Sequence, residues 1–416
     1  MHIVGTHDDN TIEQLRGVAE RAARVALMAD GHLGYWMPIG GVAAFRDWVS
    51  PVGVGFDIAC GNCAIKTDMK FDDLEKKDLS KIANDIQLHI SFGLGRTNLA
   101  DDAPTDHKLF DDERWEVLPT AANADALKEL ARSQLGTVGS GNHYVDVFKD
   151  EDGVIWVGVH FGSRGFGHKL CTGFVNIAAG ARWSGKMAVT EEESKGALMH
   201  LNTWGGEAYW AMMELAGDYA YAGREWVARK VVSILGAKEM EMVHNHHNFA
   251  WKEKHLMGDA NKEEEVVVIR KGATPAFPSQ KGFVGGSMGD VSVILEGTTN
   301  LDDDFSFDRL KNQMAMMYST VHGAGRVMGR MQAKGKKDKK TGEWKRDPLV
   351  TQEMMDEWVA KVGIFLRGGG RDESPHVYRR LPEVLEAQGD TITVLHTLTP
   401  LIVCMAGEDV HDPYKD

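Results

Sequence analysis

The sequence predicts one large domain, residues 1–416, of mixed α+β architecture, and three observations point to it. Strand-like apolar runs and helical patterns are interleaved along the chain, without the regular strand–helix–strand period that a doubly wound parallel sheet requires. With 416 residues and 43% hydrophobic content the chain can bury a large core, and its 26% charged residues suit an ordinary globular surface. No internal repeat with a period of about 20 to 50 residues is visible, which argues against a solenoid or propeller.

Thr11 and Gln14 make a capping-box pair, and Ile12, Leu15, Val18, Ala22 and Val25 recur at helical spacing, so a helix is expected over 11–28. It delivers the chain to a polar, Gly-rich turn, ADGHLGYWMPIGG. In PVGVGFDIACGNC short apolar steps alternate with glycines and set Asp57 and Cys60 in a tight turn. Strands are expected at YVDVF, which carries Asp146 inward, and at VIWVGVH (154–160), EVVVIR (265–270), VSVILEG (291–297) and LTPLIVCMA (398–406). From Glu207 to Leu235 the pattern fits one or two packed helices, with a core-facing stripe of Met, Trp and Tyr. The segment 334–346, KGKKDKKTGEWKR, holds seven Lys or Arg residues and reads as an exposed basic loop.

Composition narrows the function classes. No stretch approaches the roughly 18 to 20 apolar residues of a membrane span, and MHIVGTHDDN lacks the basic-then-apolar profile of a signal peptide. A cytoplasmic protein without membrane contact is therefore expected. Cysteines at 60, 63, 171 and 404 are too few to staple such a chain, so reduced thiols open to metals are expected. The formal charge of -14 argues, alone, against nucleic acid, but net charge does not describe a local groove. Glycine is over-represented at 46 residues that cluster with polar side chains, a pattern suited to backbone brought close to ligands.

Asp57-Ile-Ala-Cys60 puts a carboxylate and a thiol three residues apart, so that both can reach one cation. Cys60-Gly-Asn-Cys63 also satisfies CxxC, but no second CxxC and no thioredoxin-like context accompany it. GTVGSGNHYVDV presents Asn142 and His143 from a Gly-rich loop, as a hydrogen-bonding and ligating pair or as a turn with a structural histidine. VGVHFGSRGFGHKL places His160 at a strand's end and Arg164 four residues on, where glycines leave room for an anion. VHNHHNFAW crowds His244, His246 and His247 together, and buried imidazoles need partners, so a metal role for at least one is expected. In STVHGAGRVMGR, His322 is followed by Gly323-Ala324-Gly325-Arg326; an imidazole in open space attacks phosphorus when a metal or an arginine neutralises the phosphoryl charge. Gly285, Gly286, Ser287 and Met288 offer backbone donors before a strand, or simply a tight connection. By softness alone, one thiolate with several imidazoles suits zinc or iron better than manganese.

DIACG, GSGNH, VHFGSRGFGH, HNFA, RKGAT, GSMG and HGAGR occur in this order from residue 57 to 326, preceded by MADGHLG. That series resembles the RtcB family of RNA ligases over most of the chain. The resemblance implies the family's own mixed-sheet α+β fold with packed helices. It also implies GTP- and manganese-dependent joining of RNA 3′-phosphate or 2′,3′-cyclic phosphate ends to 5′-hydroxyl ends. Asp57, Cys60, His143, His160 and His247 would hold two Mn2+ ions with Cys60 as the bridge, His247 being the histidine that precedes Asn248-Phe249-Ala250. His322 would carry the GMP intermediate. Asn142, Asp146, Asn248, Gly285, Gly286, Ser287, Met288, Ser292, Gly323, Ala324 and Gly325 would bind GMP or GTP, and Arg164 and Arg326 the RNA phosphate.

Asp146 and Met405 stand where the family usually has a base-reading glutamate and lysine, so base recognition is expected to be altered, and a divergent paralogue with changed nucleotide choice is the alternative to GTP. The basic segment 334–346 is then either a solvated charge run or a local RNA contact. Two other readings use the same residues: a metal-dependent RNA-end phosphatase or cyclic phosphodiesterase without a nucleotide adduct, and a non-catalytic RNA-binding factor.

Overall fold

The structure, a computed structural model, describes residues 1–258, 262–300, 305–338 and 340–408. Two sheets flanked by helices carry the architecture, in agreement with the α+β expectation. The larger has eight strands, in the order Lys281–Val284, Ser292–Gly297, Ile392–Gly407, Tyr144–Lys149, Val154–Phe161, Gly61–Lys70 and Glu239–His246, with Phe365–Gly369 added beside Ile392–Gly407. Its two ends nearly meet, because Phe283 N–H donates to Asn245 Oδ1 at 3.1 Å and Asn62 Nδ2 donates to the Phe283 carbonyl at 2.8 Å. The smaller sheet runs His2–Ile3, Arg24–His32, Ile39–Phe45, Lys262–Lys271 and Asn248–Met257.

Strand period fixes what each face of the large sheet does. Antiparallel pairing sets Tyr144, His160, Asn62 and Asn245 in one row on one face. One residue along, Phe161, Gly61 and His246 pair on the opposite face, followed by Val145, Val159, Cys63 and His244. That second face packs on the helix Trp204–Leu235, where Val227, Val231 and Leu235 share a core with Cys63, Ile65, Val145 and Val159. Full burial of each such aliphatic side chain contributes about 1.5–3 kcal/mol. The helix is one continuous element of 32 residues. It begins where Thr203 accepts from Gly206 N–H and ends at Gly236, whose φ of 71° is the left-handed conformation of a glycine cap.

The expected helix over 11–28 is shorter than its pattern. The helix spans Asp9–Ala19, capped by Asp8, whose carboxylate accepts from Thr11 N–H at 3.0 Å and Thr11 Oγ1 at 2.6 Å. Gln14 does not close a capping box; it brackets Gly34 through both the backbone N–H and the carbonyl. Residues Arg24–His32 form a strand buried on both faces, and such a strand shows no polar alternation to distinguish it from helix. The basic segment is likewise more ordered than a loop: Lys336–Lys337 and Trp344–Arg346 pair as a small hairpin after the helix Arg330–Lys334, with Lys339 outside the described residues. Among the described residues no helix is long and apolar enough to cross a membrane.

Candidate active site and metal centre

The chain leaves the large sheet at His246 and enters the small one at Asn248, so His247 stands at the corner between the two. Its N–H and that of Asn248 donate to the Cys60 carbonyl at 2.8 and 3.2 Å, which ties this corner to the Asp57–Cys60 turn. A Cβ at Gly61 would overlap the Asn245 carbonyl oxygen, and one at Gly162 would overlap the Asp57 carboxylate. Glycine lets the strands approach this closely at position 61, and at position 162 it leaves room for the Asp57 carboxylate.

Cys60, His143 and His160 sit at the same end of adjacent strands and converge. Cys60 Sγ lies 3.2 Å from His160 Nε2 and 3.7 Å from His143 Nε2, while His143 Nε2 lies 3.1 Å from Asp57 Oδ2. Cys60, His160 and His247 form one donor set and Asp57, Cys60 and His143 another, with donor atoms within 4.8 Å of one another in each. The two sets share the thiol. Burial pulls His160 and His247 well below the ordinary imidazole range, so both are neutral, the state in which imidazole binds a metal. Burial works against ionisation of Asp57, but the hydrogen bond and charge of His143 and the charge of Arg164 outweigh it and hold the carboxyl below its usual value. Burial, reinforced by Asp57, pushes the Cys60 thiol well up, so a bound cation has to displace its proton. Carboxylate, thiol and neutral imidazoles together fit a divalent transition metal.

Cys63 has no part in this. It faces the opposite side of the strand, wholly buried against the long helix, with its thiol pushed up to about 12 by burial. Cys63→Ala is therefore expected to leave metal content unchanged in elemental analysis, a result a CxxC zinc pair would not give.

The two remaining histidines of VHNHHNFAW are occupied by a residue that sequence reasoning missed. Arg224, fully buried in the middle of the long helix, donates from Nε to His244 Nε2 at 2.8 Å and from Nη2 to His246 Nδ1 at 2.9 Å. Its Nη1 donates to the carbonyls of Ala59 at 2.9 Å and Phe161 at 2.6 Å. Those carbonyls belong to the neighbours of Cys60 and His160, so one guanidinium pins both ligand-bearing segments. Ala59 needs such support, since its φ of 60° is unfavourable for a residue with a Cβ.

His322 follows the strand Ser319–Val321, which pairs with Ala273–Pro275 beyond the small sheet. Its ring centroid is 4.9 Å from that of His247. Asp30, fully buried in the strand Arg24–His32, places Oδ2 2.6 Å from His322 Nδ1 and also accepts from the N–H groups of His322 at 3.0 Å and Gly323 at 3.3 Å. A carboxylate acceptor selects the Nδ1–H tautomer and leaves Nε2 with its lone pair. Asp30 was legible only as part of MADGHLG, with no spacing to link it to a residue nearly 300 positions away.

These groups line one cavity of about 610 Å³, a volume suited to a nucleotide. Its wall includes Asp57, Cys60, Asn142, His143, Asp146, His160, His247, Asn248, the turn Gly285 to Met288, His322, the run Gly323 to Gly325, and Arg326. Two expected residues do not reach it. Ser292 accepts from Gly286 N–H at 3.0 Å and braces the turn from behind. Arg164 is buried beneath Gly139, with its Nε donating to Thr137 Oγ1 at 3.3 Å. Arg326 does line the cavity, yet its guanidinium already binds Tyr378 Oη at 2.9 Å, the Asp372 carbonyl at 2.8 Å and Glu373 at 3.4 Å. Arg330, also in the wall, pairs with Glu373 and Asp372. A phosphate entering here has to share these donors.

At the inner end of the cavity, Tyr144 Oη, Asp146 Oδ1 and Ser287 Oγ are buried without hydrogen-bond partners among the described residues, close to Met288, Val403 and Met405. Burial pushes the Asp146 carboxyl well above the usual carboxylate range. Unsatisfied polar atoms at the end of a nucleotide-sized cavity are groups that a ligand would satisfy.

The model of the family described as tRNA-splicing ligase RtcB matches residues 11–406. The chain belongs to the RtcB family of RNA ligases. It is 29% identical to the tRNA-splicing ligase RtcB of Archaeoglobus fulgidus, over 94% of this chain and 88% of the relative. It is also 29% identical to the RNA-splicing ligase RtcB of Escherichia coli strain K12, over 92% of this chain and 90% of the relative. For the tRNA-splicing ligase RtcB of Thermococcus kodakarensis the identity is again 29%, over 91% and 89% of the two chains.

Proposed function

We propose that this RtcB-family protein is a manganese- and GTP-dependent RNA ligase that joins 3′-phosphate or 2′,3′-cyclic phosphate ends to 5′-hydroxyl ends through a His322–GMP adduct. The observation that carries the reading is His322, held at Nδ1 by buried Asp30 on the wall of a nucleotide-sized cavity, beside the Asp57, Cys60, His143, His160 and His247 cluster. Asp57, Cys60, His143, His160 and His247, with Cys60 common to both donor sets, would hold the Mn2+ ions. When bound, the ions supply the positive charge that neutralises phosphoryl oxygens.

The chain's own residues then act as follows. His322 Nε2 attacks the α-phosphorus of GTP; the P–N bond forms as the bond to the bridging oxygen breaks, and pyrophosphate leaves. Asp30 keeps the Nδ1 proton and offsets the charge that develops on the ring. An oxygen of the RNA 3′-phosphate next attacks the GMP phosphorus and the P–N bond breaks, restoring His322. The 5′-hydroxyl oxygen finally attacks the activated 3′-phosphorus, GMP leaves, and the hydroxyl proton passes to solvent. A cyclic phosphate end is first opened by water.

A second reading, altered nucleotide choice, is favoured by the inner end of the cavity. Burial favours the protonated form of the Asp146 carboxyl, whose Oδ1 can then donate, which suits the N1 acceptor of adenine better than the N1–H and N2–H donors of guanine. The test is ligation of a 3′-phosphate RNA to a 5′-hydroxyl RNA with Mn2+ and each NTP in turn. Joining with GTP supports the first reading and joining with ATP the second, whereas end-processing that needs no nucleotide supports a phosphodiesterase.

A further inference from the structure

Beyond the cavity rim the chain builds a surface that the ligation chemistry does not use. Arg330 and Gln332 of the helix Arg330–Lys334 line the cavity, and the helix runs directly into the hairpin of Lys336–Lys337 and Trp344–Arg346. The hairpin's base is anchored: Leu349 N–H donates to the Gln332 carbonyl at 3.2 Å and Val350 N–H to that of Ala333 at 3.1 Å, over a small core of Ala333, Val350 and Val377. The hairpin therefore stands at the cavity's edge in a set direction.

Its charges divide into two groups. Near the base, Arg330 and Lys334 are neutralised by Asp372 and Glu373. Farther out, Lys345 pairs with Asp338, while Lys336, Lys337, Lys340 and Arg346 are exposed and, among the described residues, without a carboxylate partner. For a chain with a formal charge of -14 this is a concentrated local cation field. An aromatic surface lies within it. Trp344 is 40% exposed, with Lys337 Nζ 4.6 Å from its ring centroid. Between rim and hairpin, Val327, Met331 and Leu349 leave apolar side chains in water at 59%, 56% and 58% exposure. Unpaired cations beside an exposed indole and apolar contacts are the chemistry that holds single-stranded nucleic acid, through phosphate neutralisation and base stacking.

We propose that the hairpin strands Lys336–Lys337 and Trp344–Arg346, with the exposed apolar side chains of Val327, Met331 and Leu349, form the docking surface for the single-stranded body of the RNA whose terminus enters the cavity. This rests on the ligase reading. Its energetic contribution is to the RNA, and not to the nucleotide, because cations and indole lie outside the nucleotide-sized cavity.

The test compares the wild-type chain with a variant carrying Lys336→Gln, Lys337→Gln, Lys340→Gln and Arg346→Gln, and separately with Trp344→Ala. Binding of a fluorescent single-stranded RNA of about 12 nucleotides with a 3′-phosphate is followed by anisotropy across a salt series. The charge variant is expected to bind at least about tenfold more weakly at low salt, with a slope of log K against log salt reduced by about 0.7 per phosphate contact removed. Trp344→Ala is expected to weaken binding about fivefold or more. Labelling of His322 by nucleotide stays at the wild-type level in both, which also reports an intact fold. If the wild type binds and joins RNA while both variants bind it equally well with the same slope, the docking surface is refuted and the ligase reading stands. If the wild type binds no RNA at any salt concentration, the ligase reading falls, and the docking surface with it.

Discussion

Asp30→Asn is expected to slow nucleotide transfer to His322 by about 10²- to 10³-fold, the cost of removing one preorganised group that stabilises the charge developing on the ring. Three donors, Nδ1–H and the N–H groups of His322 and Gly323, meet the single oxygen Oδ2. Asn therefore turns its carbonyl oxygen to that place, the tautomer is kept, and what is lost is the negative charge facing the ring. The substitution is nearly isosteric, and its carbonyl oxygen still accepts the hydrogen bonds that Asp30 Oδ2 now receives. The fold should therefore persist, and the loss should appear in the rate of adduct formation, with nucleotide affinity little changed. His322→Ala is expected to form no adduct at all. Single-turnover labelling with α-labelled nucleotide separates the two, since the Asn variant accumulates label slowly and the Ala variant none.

The second large effect belongs to Arg224. Arg224→Met keeps the side chain's length but withdraws donors from the Ala59 and Phe161 carbonyls and from His244 and His246. Each buried acceptor left unpaired costs about 1–3 kcal/mol, so a total loss of at least about 3 kcal/mol is expected, read as a lower denaturation midpoint in urea. Because the carbonyls flank Cys60 and His160, metal affinity should also fall about 10- to 100-fold, as is usual when groups supporting metal ligands are removed. Cobalt substitution provides a readout independent of stability. The thiolate-to-cobalt absorption of Cys60 should weaken in Arg224→Met at temperatures where its circular dichroism is still native, and it should be absent in Cys60→Ala.

Much of the site was legible because its residues sit next to glycine or at strand ends. Cys60, His143, His160 and His247 each occupy such a place, and the face that His160 takes follows from the two-residue period once pairing is known. The supporting groups were not legible. Asp30 lies in a strand without polar alternation, and Arg224 lies in a helix whose stripe reads simply as core. Both act on partners brought near by long-range pairing alone. Ser292 and Arg164 were expected at the cavity because their motifs are polar and Gly-rich, yet the strand and helix that carry them turn their side chains behind the wall. The histidine-rich segment divided by direction: His247 turns to the cavity, while His244 and His246 turn to Arg224 and Tyr221.

The measurement that bears most directly on the account is peptide mass mapping of the wild-type protein after incubation with Mn2+ and a nucleoside triphosphate, without RNA. The account predicts one acid-labile nucleoside monophosphate on the peptide that contains His322, released when 3′-phosphate RNA is added. A protein that joins or opens RNA ends under the same conditions, but carries the nucleotide elsewhere or not at all, would contradict it.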